Sequence, residues 1–353
     1  MRFNIKLILE KASYVYLCHI MKAIIPVAGI GSRMKPHTQT QPKSLIPVAG
    51  KAILGHIIDS IIGAGINELV FIIGYQGDKI QEYVKANYPE YTSHFVMQTV
   101  GKGTAHAIKL TRDLIADTEP ILIVLGDSIT EAPLAQVIAA NVTAVGVKKV
   151  EDPRLFGVAE INAEGEVKKL IEKPAIPKSN LALVGLYYIR EAGKLMRSID
   201  NIIAADIKTQ NEYHLTDALQ NMLDCGEDIS TFAVESWFDC GKKEIILQTN
   251  ENLLRNDENH RVPEHIYASN NIVVRPVNIA QSAQIKNSII GPNVSIGEET
   301  EISDSIIRNS IIAANSRLEN IILENSLLGN DSILIGARHS LNIGDNAEIN
   351  FNA

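Results

Sequence analysis

The sequence predicts an α/β protein, a mostly parallel sheet covered by helices and followed by a parallel β-helix. Two observations carry this prediction. From residue 21 to about 125, short runs rich in Ile and Val alternate with segments whose apolar residues recur at helical spacing. From about residue 265 the rhythm changes, and single aliphatic residues recur roughly every six positions with Asn, Asp or Gly between them.

In chain order, 23–27 reads as a strand and 52–64 as a helix with Ile53, Ile57, Ile61 and Ala64 on one face. Residues 69–73 form a strand, 78–86 a helix and 94–98 a strand; a helix over 104–115 and a buried strand at 121–125 complete the series. β-Branched strands joined through helices pair in parallel and are covered on both faces. Ligands of such sheets sit beyond the carboxyl ends of the strands, where residues 28–43 and Gly126-Asp127 fall. Past residue 150, 157–161 and 167–171 read as a hairpin, 181–189 as a strand, and 192–199 and 216–225 as helices. This part extends the same domain to bind a substrate.

In the tail, Ile279, Ile285, Ile290, Ile296 and Ile302 set the short rhythm. Asn287-Ser288-Ile289-Ile290-Gly291 is echoed by Asp304-Ser305-Ile306-Ile307, Asn309-Ser310-Ile311-Ile312 and Asn325-Ser326-Leu327-Leu328-Gly329. Such repeats stack into a β-helix with one large aliphatic pointing inward per short strand. The rows around Ile289, Ile306, Ile311, Ile321 and Leu327 hold more aliphatics than a thin interior accommodates. Some are expected to face outward, as a surface for homo-oligomers.

The 353 residues are 46% hydrophobic and carry a formal net charge of -8. That length supports two domains, expected at 21–258 and 259–353. A negative balance of interspersed charges argues against nucleic acid as a partner. The three cysteines, Cys18, Cys225 and Cys240, lack metal-type spacing, which suits a reducing, cytoplasmic setting. Residues 1–20 open with a positive charge, but Glu10 and Lys11 interrupt the apolar run and no small-residue cleavage site follows. A signal peptide is therefore not expected, and 1–20 read as an upstream extension before a complete strand. No apolar run reaches the length of a membrane span.

Four groups of residues carry chemistry. The first is Ala28-Gly29-Ile30-Gly31-Ser32-Arg33-Met34-Lys35-Pro36 with Gln41-Pro42-Lys43-Ser44 downstream. A glycine-rich turn after a strand lets backbone N–H groups approach phosphate oxygens, and Arg33 and Lys43 neutralise the charge from two sides. It matches neither the dinucleotide fingerprint nor the P-loop. The second is Gln98 followed by Gly103-Thr104-Ala105, which alone reads as a helix start with Thr104 as its cap. The third is Asp127 after a buried strand and Asp239 in Trp237-Phe238-Asp239-Cys240-Gly241. The fourth is Phe156-Gly157-Val158 with Glu172-Lys173-Pro174, which alone reads as a surface ion pair.

In this order the groups resemble the sugar nucleotidyltransferase family, in its long form with a C-terminal left-handed β-helix. The family signature is a glycine-rich loop ending in Gly-Thr-Arg with Pro-Lys downstream; Ser32 keeps the hydroxyl of that threonine, and Ala28 stands where some members have glycine. The resemblance covers residues 22 to about 245. It implies a Rossmann-like nucleotidyltransferase sheet and Mg²⁺-dependent transfer of a nucleotidyl group from a pyrimidine triphosphate (dTTP or UTP) to a sugar 1-phosphate, with glucose 1-phosphate expected. Pyrophosphate would leave after in-line attack without a general base. By the same resemblance, Arg33, Lys43 and Lys173 are catalytic, and Ala28, Gly29, Gly31, Ser32, Gln98, Gly103 and Thr104 bind the nucleotide. Gly157, Glu172, Lys173 and Gly185 bind the sugar, and Asp127 and Asp239 hold Mg²⁺, which takes one or two carboxylates together with phosphate oxygens.

Tyr213-His214-Leu215-Thr216-Asp217 also matches. However, the arginine that short thymidylyltransferases carry just upstream is missing, and the nearest bases are Lys208 and His214. Two alternatives stay open: a bifunctional enzyme that also transfers an acetyl group, and a non-catalytic regulatory subunit. Against the first stands a short tail whose only late histidines are His260, His265 and His339. Against the second stands retention of Arg33, Lys43, Asp127 and Asp239.

Overall fold

Strand β1 (Lys22–Pro26) is the centre of the first sheet: Ile24 lies between Val70 and Ile123 in register, and all three are fully buried in this computed structural model, which describes residues 21–256 and 260–336. The expected upstream extension, 1–20, and His339 lie outside the described residues. From β1 the chain runs through α1 (Ile53–Gly63), β2 (Glu68–Ile73), α2 (Gly77–Asn87), β3 (Thr92–Met97), α3 (Thr104–Lys109) and β4 (Ile121–Val124). The order β4–β1–β2–β3 is parallel throughout. All four residues of β4 are buried, as a strand covered on both faces requires.

Next come β5 (Ser128–Glu131), α4 (Leu134–Ala140), β6 (Ala144–Lys149), β7 (Gly157–Ile161), β8 (Val167–Glu172) and β9 (Leu181–Ile189). Then follow α5 (Ala192–Ala204), α6 (Leu215–Asp224), β10 (Ser230–Ala233), β11 (Ser236–Asp239) and α7 (Lys243–Leu254). β9 joins β4 antiparallel and carries the β7–β8 hairpin and β6, which β10 joins in parallel, so the sheet has nine strands with a parallel core. A separate pair, β5 with β11, stands outside it.

The helix expected over 104–115 ends at Lys109, and only a 3₁₀ turn, Arg112–Leu114, follows. The cause is local: the buried Thr111 hydroxyl donates to the Ile108 carbonyl (2.7 Å) and competes for the helical acceptor. Strands β5, β6, β10 and β11 had no counterpart among the expected elements. Three of them are four residues long, too short for alternation to register as a signal.

The chain divides into two units within α7, between Ile246 and Leu247; residues Val48–Gly50 belong to the second. In that unit three parallel four-stranded sheets form the faces of a left-handed β-helix. Ile290 and Ile307, Val294 and Ile296, and Ile285, Ile302 and Leu318 fill its interior. The recurring Asn-Ser pair makes the corners. Asn287, Asn309, Asn315, Asn320 and Asn325 all have left-handed φ, between 43° and 56°, as do Asp304 (51°) and Asp331 (58°). Asn and Asp tolerate this conformation better than other residues with a Cβ. Their amides stack between coils, Asn287 Nδ2 donating to Asp304 Oδ1 (3.3 Å) and Asn293 Nδ2 to Asn309 Oδ1 (2.9 Å). The serine that follows turns inward: Ser288 Oγ accepts the Ser305 N–H and Ser310 Oγ the Ser326 N–H, both at 3.1 Å.

The outward aliphatics need one correction. Ile311 is 1% exposed. It lies in register with Ser295 and Asn278, also buried, and this face is covered by α7, whose Asn250 accepts from Ser295 Oγ (2.6 Å) and from Ala49 N (2.9 Å) and donates to the Asn293 carbonyl (3.1 Å). Ile289, Ile306, Ile321 and Leu327 are half-buried. The exposed members of that ladder are Ile272 (59%) and Ile322 (78%), in register with Ile289 and Ile306.

Asn309→Val places a β-branched residue in the left-handed region and is expected to cost about 1–2 kcal/mol. Urea unfolding followed by circular dichroism should show a lowered midpoint. Asn309→Gly, free of the Cβ penalty, should lose less.

Candidate active site

Three strand ends converge on the site. The loop after β1 turns at Gly31, whose φ of 65° suits glycine and whose carbonyl accepts from Thr38 Oγ1 (2.8 Å) and Met34 N (2.9 Å). Beyond it, Lys43 is 9% exposed and sends its ammonium to Asp127, just past β4. Lys43 Nζ lies 2.9 Å from Asp127 Oδ2 and 3.7 Å from Asp239 Oδ1. The two aspartates are brought together by the antiparallel β5–β11 pair, in which Ser128 faces Asp239, and by Cys240 N donating to the Asp127 carbonyl (3.1 Å). Burial first, and then the Asp127 carboxylate, push the Asp239 carboxyl above its usual range, while Lys43 and Arg33 pull it down. Two carboxylates thus share one ammonium in a partly desolvated place.

An 830 Å³ cleft opens beside this group. Ala28, Gly29, Gly31, Ser32, Arg33, Lys43, Gln98, Gly103, Thr104 and Asp127 all line it. Tyr75 and Glu212 line it too; neither was a candidate from sequence, although Glu212 directly precedes the Tyr213–Asp217 motif. Thr104 does not cap its helix: Gly103 holds the cap position, and Thr104 Oγ1 accepts from Leu215 N (2.8 Å). Gly103, with φ of 100°, lies so close to Tyr213 that a Cβ would stand 2.7 Å from its nitrogen.

The remaining candidates form a second group. Glu172, last in β8, is paired with Gly157 of β7. Glu172 Oε2 accepts from Thr216 Oγ1 (2.7 Å), and its Oε1 lies 3.5 Å from His214 Nδ1 and 3.8 Å from Lys173 Nζ. The ion pair is therefore not a surface one: the Glu172 side chain is 10% exposed. Lys173 has a left-handed φ of 42°, an unusual state for lysine of the kind that gathers at functional sites. Gly185 accepts from Leu125 N (2.9 Å) where β9 departs from its register with β6. Buried Tyr187 lies between the groups: its phenol is raised by burial and then by Glu172 and Asp127. Trp237 meets Phe156 edge to face, ring centres 4.7 Å apart.

Neither base near the missing arginine stands alone. Lys208 is paired with Asp206 (2.5 Å) and lies over the Tyr213 ring, and His214 is paired with Glu172. The side chain that reaches Lys173 is Gln210, Oε1 to Nζ 3.5 Å. Among the described residues no cluster of three or more His, Cys, Asp or Glu could hold a metal, and no helix is long and apolar enough to cross a membrane.

Comparisons with known proteins run through all of these residues. The family model for nucleotidyl transferases matches residues 22–256, and one for the GlmU-like C-terminal hexapeptide domain matches 257–346. The glucose-1-phosphate thymidylyltransferase of Streptomyces griseus is 30% identical, across 88% of this chain and 92% of its own. The low-salt glycan biosynthesis nucleotidyltransferase of Haloferax volcanii is 28% identical, across 93% and 99%. The bifunctional protein GlmU of Methanocaldococcus jannaschii is 32% identical, across 72% of this chain and 60% of its own. In fold, the crystal structure of a UDP-glucose pyrophosphorylase complexed with UDP-glucose superposes with a TM-score of 0.58 at 24% identity, covering 67% of this chain and 99% of that one. With the match spanning the glycine loop, the shared lysine and both aspartates, the chain belongs to the nucleotidyl transferase family.

Proposed function

We propose that this nucleotidyl transferase joins a pyrimidine nucleoside triphosphate, dTTP or UTP, to glucose 1-phosphate and releases pyrophosphate, with Mg²⁺. The observation that carries this reading is the buried Lys43 held between Asp127 and Asp239 at the edge of a cleft that begins in a glycine-rich loop. The relative from S. griseus, named for this sugar phosphate and a thymidylyl group, supports the choice of substrates.

The sugar phosphate is itself an anionic nucleophile. Its oxygen forms the new bond to the α-phosphorus as the bond to the bridging oxygen of pyrophosphate breaks, so no general base is needed. Arg33 and Lys43 hold the triphosphate and balance its charge, a positioning and electrostatic role. The Gln98 amide both donates and accepts, which suits one edge of a pyrimidine, and the Gly103 N–H adds a donor. Gly157, Gly185 and Glu172 take the sugar, Glu172 accepting from its hydroxyls, and Lys173 orients the phosphate. Asp127 and Asp239 fit Mg²⁺: the two carboxylates converge on one place, and burial and the Asp127 charge raise the Asp239 carboxyl despite Lys43 and Arg33, so a further cation is accommodated there. When bound, the ion neutralises phosphate charge.

A panel of triphosphates and sugar 1-phosphates, scored by pyrophosphate release, tests the substrate assignment; release with purine triphosphates alone would overturn it. An arm with an acetyl donor tests the bifunctional alternative. Lys43→Ala and Arg33→Ala are each expected to lower kcat on the order of 10²–10³-fold with a smaller change in the KM for sugar phosphate. Asp127→Asn and Asp239→Asn should abolish Mg²⁺-dependent turnover, and a Mg²⁺ titration of the variants should show no recovery. The ladder of Ile272, Ile289, Ile306 and Ile322 is our candidate for a homo-oligomer surface. Light scattering of a chain ending near residue 260 should give a smaller assembly than the full chain while nucleotidyl transfer persists.

A further inference from the structure

A single segment, 209–216, touches both substrate groups. It begins in a tight turn: Thr209 N donates to the Glu212 carbonyl (3.0 Å) and Glu212 N to that of Thr209 (3.1 Å). Gln210 and Asn211 at its tip have φ of 50° and 65°. Beyond the turn, successive residues face opposite ways, as in any extended segment. Toward the nucleotide cleft, Tyr213 N donates to the Lys102 carbonyl (2.9 Å), Ala105 N donates to the Tyr213 carbonyl (2.9 Å), and Leu215 N donates to Thr104 Oγ1 (2.8 Å). Gly103 is pressed against the Tyr213 backbone, so the base-reading loop 102–105 cannot shift without this segment. On the other face, Thr216 donates to Glu172 Oε2, His214 approaches Glu172 Oε1, and Gln210 reaches Lys173. His214 also links the groups directly. Its Nε2 lies 4.0 Å from the carboxylate of Glu212, a wall of the nucleotide cleft, is buried and has no hydrogen-bond partner.

We infer that residues 209–216 are a strap that couples the two subsites, with Thr216 and His214 as positioning residues for Glu172, so that bound nucleotide raises the affinity for sugar phosphate. This rests on the substrate assignment proposed above. A nucleotide held by Gln98, Gly103 and Thr104 fixes loop 102–105. Through three backbone-anchored hydrogen bonds that loop fixes the strap, and the strap sets both oxygens of Glu172. The sugar phosphate then meets an acceptor already oriented, and the ordering cost is met once instead of twice. Linkage makes the effect reciprocal.

Trp237, the single tryptophan of the chain, meets Phe156 edge to face beside Gly157 and supplies a fluorescence signal for sugar-phosphate binding. Glucose 1-phosphate is titrated into the full chain with Mg²⁺, with and without a saturating non-hydrolysable thymidine triphosphate analogue. The native protein is expected to bind glucose 1-phosphate about 5–150-fold more tightly with the analogue present. Thr216→Val, which keeps shape and removes the donor, should bring that ratio to near one while analogue affinity holds; Thr216→Ser should restore it. His214→Leu removes the contact to the other oxygen and should lower the ratio by itself, which covers the case of a poorly folding Val variant. If both ligands bind the native protein with a ratio of one, or if Thr216→Val and His214→Leu leave the ratio unchanged, the strap is overturned and the substrate assignment survives. If neither ligand binds the native protein, the assignment falls and takes the strap with it.

Discussion

The site depends on one buried ammonium. Lys43 is 9% exposed and its charge is balanced by Asp127 and Asp239, which the β5–β11 pair brings together at one of its ends. An unpaired lysine at that burial would carry a heavy desolvation penalty, and two carboxylates so close without a cation would repel. Each therefore holds the others in place. The sheet works for this arrangement: β1 delivers the glycine loop, β4 ends at Gly126-Asp127, and β5–β11 returns Asp239 from more than a hundred residues away. Arg33 adds a second positive charge beside Asp239, and burial still holds that carboxyl above its usual range.

The second candidate group is organised differently, around one carboxylate. Glu172 is nearly enclosed, and Thr216 and His214 occupy its two oxygens. A buried carboxylate with both oxygens engaged has a defined orientation. The left-handed backbone at Lys173, next in the chain, accompanies an ammonium that lies near Glu172 and Gln210.

The β-helix solves a separate problem. The coils turn their corners with few residues, and many of those corners take a left-handed φ. Asparagine meets that need and adds a side-chain amide for the next coil, while the adjoining serine satisfies a buried N–H. The cost is a thin interior, which leaves one face with a row of isoleucines toward solvent.

What the sequence alone determined were features set by neighbours in the chain. The parallel core followed from β-branched runs, the β-helix from Asn-Ser-Ile-Ile repeats, and the turn after the first strand from Gly29 and Gly31, because backbone conformation and strand burial are written within a few residues. The resemblance of ordered motifs then reached Asp239 and Glu172. Tertiary structure decided the rest. It ended the helix at Lys109, where Thr111 bonds backward. It buried Ile311 under a helix from elsewhere in the chain. It also joined Thr104 to Leu215 and Glu172 to Thr216. These are contacts between residues far apart in the chain, and no local propensity encodes them: whether a hydroxyl caps its own helix or bonds a distant backbone depends on what packing brings within reach.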